Sequence, residues 1–398
     1  MASPVWASEV TLAQLLEVAL VKHPSVLQAR SQAQASGFEL EATRWSRYPT
    51  LSSELRTDQG TNLSVAKLEQ PVWTAGKISS RIGLSEANLR VADAGVLEAE
   101  TTAMNQVATA FYEVLRLQDR FNSAQAKTLE HERLLSLIER RAKAEITPQA
   151  DVTLAQARLH QAISERIQIK RQLDASLSTL ANWTGPLPGP LRIPQSIRLQ
   201  ASSSVEQAQD KAFAFSAQRK RLLAQLDSAQ AQIKVSQSQI YPSLIAGYQH
   251  SWGGQVPAAT DRGQAYLSMQ FQSGAGLSAL SGVQAAVARQ AAAQQELETL
   301  ERQLSAQIST AITELQALQA QIEPANALQL GTTDIVESYL RQYQVGRKNW
   351  LDVLNAQREK TQALFSLADT RFGLQLAQLN LLILTGDIAA QALNALHD

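Results

Sequence analysis

The chain repeats itself. Asp151-Val152 followed by Ala155-Gln156 returns as Asp352-Val353 followed by Ala356-Gln357, and the same offset of 201 positions links Thr184-Gly185 to Thr385-Gly386. Tyr48-Pro49-Thr50-Leu51 returns as Tyr241-Pro242-Ser243-Leu244 at an offset of 193. Two copies of a unit of roughly 190 residues therefore account for almost all of the 398, and duplication explains the length better than two unrelated domains do. The expected organisation is a first repeat over 8–185, a Pro/Gly-rich linker over 186–204, a second repeat over 205–390 and a C-terminal tail over 391–398.

Each unit joins a Pro-led strand pair to helical sequence too long for an ordinary globular domain. In the second copy Leu244, Ala246, Tyr248 and Trp252 alternate with Ile245, Gly247, Gln249 and Ser251, with His250 interrupting the apolar set. Ala265, Leu267, Met269 and Phe271 alternate with Tyr266, Ser268, Gln270 and Gln272. Period two places one set on each face of a strand. Strands of about nine residues are also long enough to cross a bilayer when tilted. The strand pairs are expected at about 50–70 and 243–272. Asp58-Gln59-Gly60 and the Gly253–Gly263 stretch are polar turn material between them.

Beyond each pair the period changes. Ile82, Leu89, Val96, Ala103, Ala110, Leu117 and Ala124 are spaced by seven and all apolar, the stripe of a coiled-coil seam whose alanines permit close helix approach. A single helix over Lys77–Lys143 would be about 100 Å long at ~1.5 Å per residue. The second copy matches it from Leu277 to about Gln342, with a kink expected at Pro324. Turns at Glu145-Ile146-Thr147-Pro148 and Val345-Gly346 lead into return helices ending near Trp183 and Leu384. Before the strands, Thr11–Leu20 and Ser25–Arg47 read as helices broken at His23-Pro24.

Composition narrows the function. Lys plus Arg and Asp plus Glu both number 36, so no basic excess exists to neutralise phosphates, and nucleic acid is not an expected partner. Cysteine is absent, which removes disulfides, thiolate zinc sites, cysteine catalysis and a lipid-acceptor cysteine. No run of about 18 apolar residues reads as a transmembrane helix. Val5-Trp6-Ala7 before Ser8-Glu9 reads as the tail of a cleaved secretory signal or as an ordinary flexible N-terminus.

Four strands cannot close a barrel, and lipid-facing strand edges leave backbone groups unpaired at several kcal/mol each. Strands in a membrane must therefore be pooled between chains, to 8 from two or 12 from three. The alternative is a soluble coiled-coil tether with small hairpins. Trp45, Tyr48, Trp73 and Tyr241 stand where helix meets strand and Trp252 at the far strand end, positions that suit either an interfacial girdle or packing at a bend.

Both Tyr-Pro strand entries, the Gln70-Pro71-Val72-Trp73-Thr74-Ala75-Gly76 junction, Tyr343-Gln344-Val345-Gly346 and the two return-helix motifs come in one order, twice over. In this the chain resembles the TolC family of outer-membrane efflux proteins over essentially all of residues 8–390. The resemblance implies a mainly α fold with transmembrane β. Three copies would form a 12-stranded β-barrel, four strands per chain, continued by a coiled-coil tunnel through the periplasm with a belt around its middle. It implies a passive channel with no catalytic activity and no cofactor, set in outer-membrane lipid. Its partners would be a periplasmic adaptor (membrane fusion) protein and an inner-membrane ABC transporter or other pump. Type I protein secretion is the favoured cargo route, because many dedicated drug-efflux channels are lipid-anchored; multidrug or metal efflux is the alternative.

The resemblance also nominates residues. Asp151 and Tyr343 match a polar network that closes the periplasmic entrance, with the basic partner at Lys348 and Arg347 beside it. Asp352 matches the first acidic residue of the entrance constriction, while the second acidic position holds Asn355. Ile146, Thr147, Val345 and Gly346 form the turns that contact an adaptor. Other motifs carry less. Gly274-Ala275-Gly276 follows a strand but lacks the third glycine and acidic partner of a dinucleotide fingerprint, and reads as a junction needing glycine torsions. His23, His131, His160, His250 and His397 show no metal-ligand spacing, so no metal is expected.

Overall fold

The structure, a computed structural model, describes residues 9–58, 61–193, 205–252, 263–271, 274 and 278–387. The chain runs α1 (Leu12–Lys22), α2 (Pro24–Trp45), β1 (Thr50–Asp58), β2 (Thr61–Trp73), α3 (Lys77–Lys143) and α4 (Gln149–Thr184). It continues as α5 (Val205–Phe215), α6 (Ala217–Ser238), β3 (Ser243–Trp252), β4 (Gln264–Gln270), α7 (Ser278–Gln344) and α8 (Trp350–Thr385). The long helices are 67 residues in each repeat and the return helices 36. Much of the linker, from 194 to 204, the last residues of the second repeat, 388–390, and the tail over 391–398 lie outside the described residues.

Two compact units form. One comprises Met1–Pro24, Glu100–Ser216 and Leu304–Asp398, the other Ser25–Ala99 and Ala217–Gln303. Each unit therefore draws on both sequence repeats.

The second unit holds an antiparallel sheet in the order β1-β2-β3-β4. Register places Leu51, Leu68, Tyr248 and Ala265 in one cross-strand row and Ser52, Lys67, Gln249 and Gln264 in the next. Opposed residues share a face, so one side carries Leu51, Leu55, Leu68, Leu267 and Met269, all exposed. The other side is mostly polar. β2 extends beyond its expected end at Gln70 to Trp73, through an irregularity between Pro71 and Trp73. Proline has no N–H for the ladder, and a bulge absorbs the mismatch. Ala75 and Gly76, with φ of 47° and 84°, then turn the chain into α3. Gly274 has φ of 74° at the corresponding junction, while Ala275 and Gly276 lie outside the described residues.

The seam of α3 is where the heptads put it. Ile82, Ala103, Ala110, Leu117 and Ala124 are buried and Leu89 and Val96 half-buried, and the spacing continues through His131 to a fully buried Ile138. In the first unit α1, capped by a Thr11–Gln14 box, lays Leu12, Leu15, Leu16 and Ala19 against Val107, Phe111, Val114 and Leu115 of α3. Leu180 of α4 and Leu379 and Ile383 of α8 complete that core. α7 runs unbroken through Pro324 from Ser278 to Gln344, with one main-chain hydrogen bond forgone there.

Candidate functional site

The two helix returns have the same backbone. In the first, Glu145 N–H donates to Ala142 O at 3.0 Å and Ile146 N–H to Arg141 O at 2.9 Å. In the second, Gly346 N–H donates to Tyr343 O at 3.1 Å and Arg347 N–H to Gln342 O at 2.9 Å. Both are Schellman-type endings that satisfy the last carbonyls of a helix through one left-handed residue. That residue is Gly346 at φ 77° in one copy and Glu145 at φ 57° in the other. Glutamate accepts a conformation there that costs any L side chain about 1–2 kcal/mol.

Beneath the turns, Leu134 and Ile138 of α3 and Val152 and Ala155 of α4 meet Tyr343 of α7 and Trp350, Val353 and Leu354 of α8 in one buried cluster. The Arg141 guanidinium lies 4.8 Å from the centre of the Tyr343 ring, and the Trp350 ring is 5.7 Å from the same ring. Tyr343 is 5% exposed, yet its hydroxyl has no hydrogen-bond partner among the described residues. The tyrosine is held by its ring.

The return helices start differently. α8 begins with a capping box: Asp352 N–H donates to Asn349 Oδ1 at 2.8 Å, and Asn349 N–H donates to the Asp352 carboxylate at 3.4 Å. Lys348 Nζ sits 3.7 Å from the same carboxylate and 4.3 Å from the centre of the Tyr339 ring. α4 has Pro148 at the capping position, which supplies no side-chain acceptor. Asp151 therefore stands in the first turn with a half-buried carboxylate that makes no hydrogen bond or ion pair among the described residues, beside the positive end of its helix. Arg347 is exposed and likewise unpaired among them.

The structure thus brings Tyr343 and Lys348 to one pair of turns but makes no Asp151–Tyr343–Lys348 network inside a single chain. Asp352 is engaged locally by Asn349 and Lys348. Asn355 lines a small cavity with Arg158 and Arg358. At the turn tips Ile146 is 63% and Val345 70% exposed; Thr147 and Gly346 flank them. Sequence reasoning missed Arg141 and Trp350, which hold the Tyr343 ring. The signal was available, since both flank turns already singled out.

Trp45, Tyr48, Trp73, Tyr241 and Trp252 are all exposed. Trp73 and Tyr241 belong to one end of the sheet, where Trp73 pairs with Leu244, and Trp252 to the other, where it pairs with Ser64. Among the described residues no group of acidic residues and histidines is placed to hold a metal ion, and no helix is long and apolar enough to cross a membrane.

The comparisons agree with this architecture. Outer membrane protein TolC of Vibrio cholerae is 23% identical over 419 residues, 98% of this chain and 93% of the relative. A membrane protein from Pseudomonas aeruginosa has a similar fold, with a TM-score of 0.83 at 16% identity over 97% of this chain and 98% of the other. The outer membrane protein VceC of Vibrio cholerae gives 0.79 at 19% identity, over 93% and 95%. The outer membrane efflux protein profile matches residues 15–186 and again 205–387. Matched twice and along most of its length, this chain belongs to the outer membrane efflux protein family, whose members are channels of the outer membrane and not enzymes.

Proposed function

We propose that three copies of the chain form a 12-stranded barrel in the outer membrane, with their long helices making a periplasmic tunnel that gives cargo a passive exit. The observation that carries this is the sheet itself. Among the described residues β1 pairs only with β2 and β4 only with β3, so both outer strands offer open edges while one face is apolar and exposed. Lipid on that face requires the edges to be paired by other copies. The aromatics at both ends of the sheet support an interfacial girdle.

The turns are the entrance in this reading. Asp151 and the Tyr343 hydroxyl lack partners among the described residues, which supports their use between neighbouring copies, with Arg347 and Lys348 as the basic groups. The exposed Ile146 and Val345 support an apolar seat for a periplasmic adaptor, which would join the channel to an inner-membrane pump. The cargo reading is type I protein secretion with an ABC transporter. The polar sheet face, with Ser52, Glu54, Lys67, Glu69, Gln249 and Gln264, supports hydrophilic cargo such as an unfolded polypeptide. Multidrug or metal efflux is the second reading, favoured by the family's description as efflux proteins.

The detergent-solubilised protein should have the mass of a trimer and give single-channel conductance in planar bilayers; a monomer or dimer without conductance contradicts the channel. For cargo, cells lacking the chain should retain a secreted polypeptide in the envelope. Unimpaired secretion with new sensitivity to drugs or metal ions selects the second reading.

A further inference from the structure

From Ile82 to Ile138 the sevenfold positions of α3 are apolar with one exception, His131. Beside its ring, which is 6% exposed, lies a cavity of about 40 Å³ between α3, α4 and α8. Its polar walls are Lys127, His131, Arg158, Gln161, Asn355 and Arg358, and Leu354 is its apolar side. Of these, His131 and Leu354 are buried, Lys127, Arg158 and Asn355 half-buried, and Gln161 and Arg358 exposed, so the cavity opens to solvent above the buried ring.

The charges around it do not balance. Lys127 is paired with Glu165 at 2.6 Å. Arg158 donates to Gln161 Oε1 at 2.9 Å, a neutral partner that leaves the Gln161 amide N–H groups free to donate. Arg358 has no ion pair among the described residues. Two guanidinium groups therefore share the cavity with two amide donors and no lining carboxylate, while Glu165, which acts on His131, is already engaged by Lys127. Donors of this kind replace the hydration of an anion and repel a cation. Size sets the class further. A water needs ~10–15 Å³ of such space, so the cavity admits one halide ion or a few waters and is small for a tetrahedral oxyanion.

We propose that this cavity is a binding site for a halide-sized monovalent anion, chloride in the cell, held by Arg158, Arg358 and the Asn355 amide where the α3 seam gives way at His131. The ion would join three helices by a shared charge at the point where apolar packing is interrupted.

Crystals of the full chain in detergent, soaked in sodium bromide, should show an anomalous peak in this cavity. In solution, thermal unfolding in sodium chloride should lie about 2–4 °C above that in sodium gluconate at equal ionic strength, and the difference should saturate. Asn355→Asp, which adds a carboxylate to the site, and Arg158→Gln should each abolish the difference. An empty cavity after the soak, with equal transitions in both salts, overturns the proposal. So does a chloride response undiminished in both variants, and stabilisation by phosphate without any by halide rejects the anion class.

Discussion

Tyr266 reaches across Gly247 to donate a 2.6 Å hydrogen bond to Glu69, linking β4 to β2 over the intervening strand. The reach depends on the glycine: a Cβ there would lie 2.3 Å from the tyrosine Cζ. Gly247→Ala must lift the ring and break the bond, whereas Tyr266→Phe loses the bond and keeps the ring in place. Heat dissociation of the detergent-purified oligomer should fall in the order wild type, Tyr266→Phe, Gly247→Ala. Equal values for all three would mean that the ring is not held over the glycine.

The left-handed Glu145 is a correctable strain. Glu145→Gly makes the first turn match the second at Gly346, relieving ~1–2 kcal/mol of backbone cost against ~1 kcal/mol of added unfolded-chain entropy. A gain of up to about 1 kcal/mol is expected in denaturant titrations, and the reverse change, Gly346→Glu, should lose a similar amount. Destabilisation by Glu145→Gly would show that the glutamate side chain does something the turn geometry does not reveal.

Tyr343 separates packing from gating. Its buried ring predicts a loss of about 3–5 kcal/mol for Tyr343→Ala. Tyr343→Phe removes only a hydroxyl unpaired among the described residues and should stay within ~1 kcal/mol of wild type. Combined with Lys348→Ser, the phenylalanine variant should raise conductance in planar bilayers if the hydroxyl bonds a neighbouring copy. Unchanged conductance with the oligomer intact places the lock elsewhere.

Asp352 serves two ends. Its half-exposed pair with Lys348 contributes at most about 1 kcal/mol, while Asn349→Ala should cost ~0.5–2 kcal/mol through the lost cap. Three copies near a common axis would also bind a multivalent cation. Asp352→Asn should therefore abolish block by a trivalent cation added from the periplasmic side, while Asn349→Ala, which spares the carboxylate, keeps it. Block that survives Asp352→Asn limits this residue to the helix start.

His131 predicts an acid limb. Burial first, then the charges of Lys127 on α3 and Arg158 on α4, push its imidazole down to about 4, against a smaller opposing effect of Glu165; Arg358 of α8 adds to the positive surroundings. The folded protein keeps the ring neutral while the unfolded chain protonates it near its ordinary value. In halide-free buffer, stability should decline as pH falls from about 6.5 to about 4 and level off below, by on the order of 3 kcal/mol per chain. His131→Leu, which completes the apolar seam, should flatten that limb; an identical pH profile in the variant assigns the acid loss to other groups.

The fold is largely legible in the sequence where periodicity is strict. Leu267 and Met269 alternate with Tyr266 and Ser268, and they do lie on opposite faces of β4; the stripe from Ile82 to Ala124 does form the α3 seam. Proline blurred one boundary, because Pro71 looks like a strand end and is instead taken up by a bulge. The site is less legible because its geometry depends on main-chain torsions and partners that residue type does not encode. Nothing about Glu145 by itself announces a left-handed residue; only its alignment on Gly346 across the repeat does. Asn349-x-x-Asp352 is readable as a cap, yet which oxygen Lys348 approaches is settled by packing of α7 on α8. His131 falls on the seam by simple counting and Lys127 one turn before it is readable too, but its other cationic neighbours, Arg158 and Arg358, come from α4 and α8, far away in sequence.

The shared shape of the two turns, with Pro148 where Asn349 stands and Thr147 where Lys348 stands, has a consequence for stoichiometry. A ring built from six identical hairpins would present six equivalent seats. Fusing two diverged copies into one polypeptide makes the seats of the proposed trimer alternate, three with an uncapped Asp151 and three with a capped Asp352. A partner with six copies must then adopt two distinct binding poses, with two affinities in one titration, whereas a partner with three copies is free to occupy one class and leave the other empty.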